Sequence, residues 1–153
     1  MISLLHTLFI LTCINNIYFN HKPDVSVSGY IYIMQNVISF KEDSQLMRLP
    51  LKNQSIAVVK GSVTAIPGKR YIPIKRIPIK SIVMTSSNDN GYFNVVLTKG
   101  KYTFFILQDG NLYNNNFSGS GFFSSHEIRQ PINNFSFEYY NNKSNIINTK
   151  SSK

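Results

Sequence analysis

Asn88-Asp89-Asn90-Gly91-Tyr92-Phe93-Asn94-Val95-Val96-Leu97-Thr98-Lys99-Gly100-Lys101-Tyr102-Thr103-Phe104-Phe105-Ile106 decides the fold class of this chain. Phe93, Val95 and Leu97 share one face of an extended backbone, and Tyr102, Phe104 and Ile106 share one face of the next. That period of two is what half-buried strands require. The run Ser87 to Gly91 reads as a turn, because Asn-Gly adopts positive φ angles at low cost. Lys99-Gly100 turns the chain again, so the stretch is predicted to form a β-hairpin.

Working upstream, Val25, Val27, Gly29, Ile31 and Ile33 alternate with Ser26, Ser28, Tyr30 and Tyr32, a first strand of the same kind. Lys41 to Arg48 is polar and is expected to lie between strands, with Pro50 marking the start of the next. Gln54 to Lys60, carrying Ile56, Val58 and Val59, gives a strand that stops at Gly61. Ile66 to Lys80 repeats itself, as Ile72-Pro73-Ile74-Lys75 and Ile77-Pro78-Ile79-Lys80. Proline donates no ladder hydrogen bond, so this segment is expected at a sheet edge or as an extended polyproline-like arm. Ser81 to Ser86 returns to strand-like residues. Downstream, Asp109 to Gly121 reads as a long Gly/Asn-rich loop, and Phe122 to Ile128 and Ile132 to Tyr139 as two more strands. No stretch keeps a helical period, and alanine, the best helix former, occurs only at Ala57 and Ala65. With 11 Phe and 9 Tyr, residues that favour pleated surfaces, the fold class is all-β.

The ends read differently. Met1 to Ile14 is apolar but shorter than the roughly 20 residues a membrane span needs. It suits the hydrophobic region of a secretory signal, though no Lys or Arg precedes it, and a buried first strand is the alternative. Ile10-Leu11-Thr12-Cys13 is similar to a bacterial lipobox, with Thr12 where a smaller residue is usual, so Cys13 is the candidate lipidation site. Residues 1–13 are therefore assigned to a signal peptide of lipoprotein type, 14–24 to a tether, 25–140 to the folded domain and 141–153 to a disordered tail. Export to the periplasm, to the outer membrane as a lipid-anchored protein, or to the extracellular space follows as the expectation.

Three segments resemble the carboxypeptidase regulatory-like domains, which have a transthyretin-like fold. Asn88 to Tyr102 follows their pattern Asp-x-x-Gly-x-Phe-x-Val-x-Leu-x-x-Gly-x-Tyr, with Asn88 in the place of the Asp. Leu49 to Val59 is similar to the family strand that follows a Pro-Leu step, and Val27-Ser28-Gly29-Tyr30-Ile31 to its opening strand. Gly110 to Gly119, with Leu112-Tyr113 ahead of a polar run, Phe117 and Gly119, is similar to a subgroup of exported single-domain bacterial proteins. The basic Ile66 to Lys80 segment departs from the minimal domain. The resemblance implies a transthyretin-like β-sandwich of about seven strands and a binding or structural role without catalysis. In its pattern Phe93 and Tyr102 are expected to pair across neighbouring strands.

Catalytic signatures are missing. His126 and Glu127 are adjacent, so on a strand they face opposite sides. His21-Lys22-Pro23-Asp24 echoes a zinc pair with the wrong carboxylate, and no nucleophile elbow, phosphate loop or carboxylate pair occurs. A single cysteine excludes an internal disulfide and a cysteine-based zinc site. No enzyme activity and no cofactor are expected. The formal charge of +9 points either to an anionic partner or to solubility alone. Between Ser44 and Asn88 there is no acidic residue, while Lys69, Arg70, Lys75, Arg76 and Lys80 cluster in the proline repeat; these five are the candidate anion-binding residues. The bland alternative is a solvated edge guarded by lysines. Tyr113, Phe117 and Phe122 flank the Gly/Asn loop and form the candidate ligand loop, with plugging of the sandwich end as the competing role. The expected function is a non-enzymatic envelope module touching anionic polysaccharide, a membrane surface or an envelope protein. The alternative is a carbohydrate-binding accessory protein for glycan capture or uptake. Nucleic acid is not an expected partner.

Overall fold

A computed structural model describes residues 24–37 and 45–140. The expected signal peptide with Cys13, all but the last residue of the expected tether, and residues 141–153 lie outside the described residues. Among the described residues twelve strands follow one another: β1 (Asp24–Val37), β2 (Gln45–Pro50), β3 (Ser55–Lys60), β4 (Tyr71–Pro73), β5 (Ile82–Ser86), β6 (Tyr92–Thr98), β7 (Gly100–Gln108), β8 (Asn111–Tyr113), β9 (Phe117–Ser118), β10 (Phe122–Phe123), β11 (His126–Ile128) and β12 (Ile132–Tyr140). Seven of these (β1, β2, β3, β5, β6, β7 and β12) have five or more residues; the rest have two or three. The helical content among the described residues is two three-residue 3-10 turns. The all-β class expected from alternation holds.

The long strand β1 organises the first sheet. One edge pairs in parallel with β12. On the other edge Asp24 to Tyr30 pair with β6 and Tyr32 to Val37 pair with β2, both antiparallel. Ile31 bridges the junction, donating its N–H to the Gly91 carbonyl at 2.9 Å and accepting the Leu51 N–H at 3.0 Å. Gly91 has φ +75°, and a Cβ there would come within 2.8 Å of the Ile31 oxygen. The glycine is needed where β6 gives way to β2 along one edge.

The second sheet runs β4-β8-β7-β3-β5, with β11 also on β7. Alternation predicted the buried faces but not the neighbours. β6 and β7, expected as a hairpin, belong to different sheets: β6 pairs with β1, while β7 pairs with β3, β8 and β11. The Lys99-Gly100 turn therefore carries the chain across the sandwich. Phe93 and Tyr102 both enter the core between the sheets and are not a cross-strand pair. Phe93 instead meets Phe104 and Phe135, with ring centroids 6.3 and 6.2 Å apart. The Tyr102 hydroxyl donates back to the Thr98 carbonyl at 2.7 Å, the backbone-anchoring contact of a tyrosine corner.

The core between the sheets is built by Val25, Val27, Ile31, Phe93, Val95, Leu97, Ile56, Val58, Tyr102, Phe104, Ile128 and Phe135. A second core lies on the outer face of the second sheet and joins Ala57, Val59, Val63, Ile72, Phe105, Leu112 and Phe123. This explains why β3 and β7 are buried at successive positions rather than alternate ones: each face has its own cover.

Three further expectations change. The polar Lys41 to Arg48 segment was expected between strands, but its end belongs to β2. The loop of Asp109 to Gly121 contains β8 and β9. The proline repeat is not an extended arm. Tyr71–Pro73 is an edge strand, as proline allows, and Pro73 and Pro78 each lead into a 3-10 turn that ends in an extended isoleucine. Ile74, Ile77 and Ile82 pack on the second core beside buried Ile72. Ile79 is 88% exposed. The repeat is a cover for the second sheet with its cations turned outward.

Candidate functional site

Two turns brace the framework near the site. Asn88 Oδ1 accepts the backbone N–H groups of Asn90 and Tyr92 at 2.9 and 3.0 Å. The amide oxygen thus does what a carboxylate would do at this position. Buried Ser87 accepts the Gln54 N–H and donates to the Leu51 carbonyl. Asn53, at φ +48°, donates to Asp89 at 2.6 Å.

A cleft of about 540 Å³ opens where the 51–54 turn, β1, β12, β8 and the residues after β7 meet. Tyr113, Tyr139 and Tyr140 supply rings; Gln54, Arg70, Gln108, Asp109 and Asn115 supply polar groups; Ile33 and Leu51 complete the wall. Tyr113 and Tyr139 meet edge to face, with centroids 5.9 Å apart and planes at 78°. Tyr71 flanks Tyr113 at 5.4 Å, because β4 and β8 pair Tyr71 with Tyr113. Lys69 Nζ stands 5.5 Å from the Tyr71 ring centroid, within cation–π range. The Asn114 side chain donates to the Phe104 carbonyl at 2.9 Å, and its backbone N–H donates to the Arg70 carbonyl at 3.1 Å. Both bonds fix the loop that carries Asn115. The Gln54 amide nitrogen is engaged by the Leu107 carbonyl at 2.7 Å, while the Nδ2 of Asn115 is buried without a hydrogen-bond partner.

Burial raises the pKa of Tyr139, and the neighbouring Tyr113 phenol raises it further. Both causes disfavour a phenolate, so Tyr139 offers a neutral O–H that donates and accepts.

Arg70 also lines a second hollow. This groove, of about 470 Å³, is walled by Ala65, Ile66, Pro67, Gly68, Lys69, Phe117 and Gly121 in addition to Arg70. Phe117 is 46% exposed and stacks on Phe123 with centroids 5.1 Å apart. Phe123 is fully buried against Phe105.

The structure redistributes the residues singled out from sequence. Tyr113 belongs to the cleft, Phe117 to the groove, and Phe122 to β10, paired with Ser118; the three are not one ligand loop. Lys69, Arg70, Lys75, Arg76 and Lys80 are all exposed, and none makes an ion pair among the described residues. Only Lys69 and Arg70 reach the two hollows. Arg76 lines a separate hollow beside Lys60. Tyr71, Tyr139, Tyr140, Gln54, Gln108, Asp109 and Asn115 were not singled out. The Tyr139-Tyr140 step was the one local signal, since it breaks the alternation of its strand at the end. Among the described residues no three His, Cys, Asp or Glu side chains gather in a group that could hold a metal ion.

The class that fold and site define is an all-β sandwich with an aromatic, polar-rimmed surface cleft. No family model matches the chain. No curated protein matches it. Among solved structures, it is similar to a candidate carbohydrate binding protein of Pseudomonas aeruginosa, over 81% of this chain and 94% of that one, at 10% identity and a TM-score of 0.45.

Proposed function

We propose that the protein is a non-enzymatic carbohydrate-binding module, exported and working at the cell envelope, which holds glycan chains in the tyrosine cleft. The observation that carries this reading is the composition of the cleft: Tyr113, Tyr139 and Tyr140 beside Gln54, Gln108, Asp109, Asn115 and Arg70. A sugar ring has an apolar C–H face and a rim of hydroxyls. Tyrosine faces match the first and amide, carboxylate and guanidinium groups match the second. The volume lies within the usual range of ligand sites. Asp109 is the one carboxylate on the wall among the described residues, which suits holding a glycan rather than cleaving it, since glycosidic cleavage ordinarily uses two. The resemblance to carboxypeptidase regulatory-like domains, modules without chemistry of their own, and the signal-like N-terminus support the same role.

Affinity electrophoresis through gels containing neutral and acidic polysaccharides tests the reading. Tyr113→Ala and Tyr139→Ala should abolish the retardation of the full chain. Tyr92→Ala, on the outer face of the first sheet and outside the cleft, should leave it intact. Retardation that survives both cleft substitutions, or that follows Tyr92, sinks the assignment.

A further inference from the structure

We infer that the ligand is an acidic glycan that runs from the tyrosine cleft across Arg70 into the neighbouring groove, with its carboxylate seated at the Arg70 guanidinium; this rests on the glycan reading of the same cleft. Arg70 is common to the two hollows, of about 540 and 470 Å³. A ligand that fills one therefore meets the other at this side chain. Each is large enough for a ligand by itself, so the pair suits an oligosaccharide rather than a single sugar.

The electrostatics favour an anion at the junction. Lys69 and Arg70 face the hollows, against one carboxylate, that of Asp109, among the described residues. Neither cation has an ion-pair partner among the described residues. Their placement is fixed by the backbone. Lys69 donates its N–H to the Ile66 carbonyl at 3.0 Å, closing a tight turn with Pro67-Gly68 at its tip and Gly68 at φ +73°. One residue on, the Arg70 carbonyl is held by the Asn114 N–H, and Tyr71 enters the ladder with Tyr113. A cation held this way loses little further backbone freedom when a ligand binds. A guanidinium presents a planar fork that fits a carboxylate with two parallel hydrogen bonds, which an ammonium does not. The apolar groove wall of Ile66, Pro67 and Phe117 offers a surface for the next sugar ring.

The experiment uses the full chain with two probes of one backbone: polygalacturonate and the same polymer after reduction of its carboxyl groups. Wild type should bind the acidic polymer about tenfold more tightly than the reduced one, the size of effect expected of one charge-assisted hydrogen-bond pair. Arg70→Gln should remove that preference, so that the acidic and the reduced polymer are bound equally tightly, and Arg70→Lys should restore part of it. The triple substitution of Lys75, Arg76 and Lys80 by Gln should keep the preference, because those cations lie outside both hollows. Equal binding of the two polymers overturns this inference and leaves the glycan reading standing. A triple substitution as damaging as Arg70→Gln also overturns it, since diffuse charge would then explain the binding. Binding to neither polymer removes both readings.

Discussion

Gly91 does work that the sequence pattern shows without explaining. It is the glycine of an Asn-Gly turn, but the turn is not that of a hairpin: the residue sits where two strands succeed each other on one edge of β1. A side chain at this position meets strain from its φ of +75° and a steric conflict with the Ile31 carbonyl. Gly91→Ala should therefore cost on the order of 1–3 kcal/mol, read as a lower urea midpoint at unchanged slope; an unaffected midpoint would place the junction elsewhere. His126 gives a second prediction at this scale. Its ring edge packs against Phe104 and Phe135, at centroid distances of 6.0 and 4.9 Å, and desolvation lowers its pKa from 6.5. The fold favours the neutral imidazole, so below pH 6.5 the unfolded chain binds more protons than the folded one. Stability is then complete above that pH and falls as the solution is acidified through 6.5 towards the lowered folded value. Urea midpoints at about pH 7.5 and 5.5 should differ less for His126→Phe than for wild type. An unchanged difference would assign the acid sensitivity to other groups.

At the scale of elements, alternation was legible and partnership was not. Val25, Val27 and Ile31, and Phe93, Val95 and Leu97, were placed correctly on the buried face because a period of two reports which side of a strand is dry. It does not report which strand lies alongside, and so β6 and β7 were read as a hairpin although they close opposite layers. The same limit hid the cleft. Tyr113, Tyr71 and Tyr139 come together only because β8 pairs with the edge strand β4 and β12 lies parallel to β1, and no local signal specifies either pairing. The proline repeat shows the converse. Its prolines correctly excluded a central strand, yet its isoleucines, spaced to point inward after each 3-10 turn, make it a cover rather than an arm. Its partner in covering the sheet is Phe123, fully buried against Phe105 and under Phe117. Phe123→Ala should cost about 3–5 kcal/mol, the usual loss for a buried phenylalanine. Replacing Lys75, Arg76 and Lys80 together with Gln should leave the melting temperature nearly unchanged, since exposed unpaired cations contribute little. A large drop in the second case would mean that these stems are packed.

For the whole molecule, the second sheet is the shared wall of two cores, and this decides how the protein unfolds. In β3, Ile56 and Val58 face the core between the sheets while Ala57 and Val59 face the outer one; in β7, Tyr102 and Phe104 face inward and Phe105 outward. Neither core can be dismantled without exposing one whole face of the strands that carry the other. Loss of the outer cover would leave Ala57, Val59, Phe105 and Leu112 in water, at roughly 25 cal/mol for each Å² of apolar surface exposed. Loss of the first sheet would strip the opposite face of the same strands. The two cores should therefore melt as one unit. Leu112→Ala in the outer core and Val27→Ala in the inner core should each lower a single transition, seen at the same urea concentration by far-ultraviolet circular dichroism and by tyrosine fluorescence. The alternative is a cover that peels first. It would appear as protease cleavage between Gly68 and Lys69 while the rest keeps its β signal, and as two transitions that separate further in Leu112→Ala. That outcome would make the 61–81 segment an independent lid over the second sheet, and the groove at Phe117 would then open and close without disturbing the sandwich.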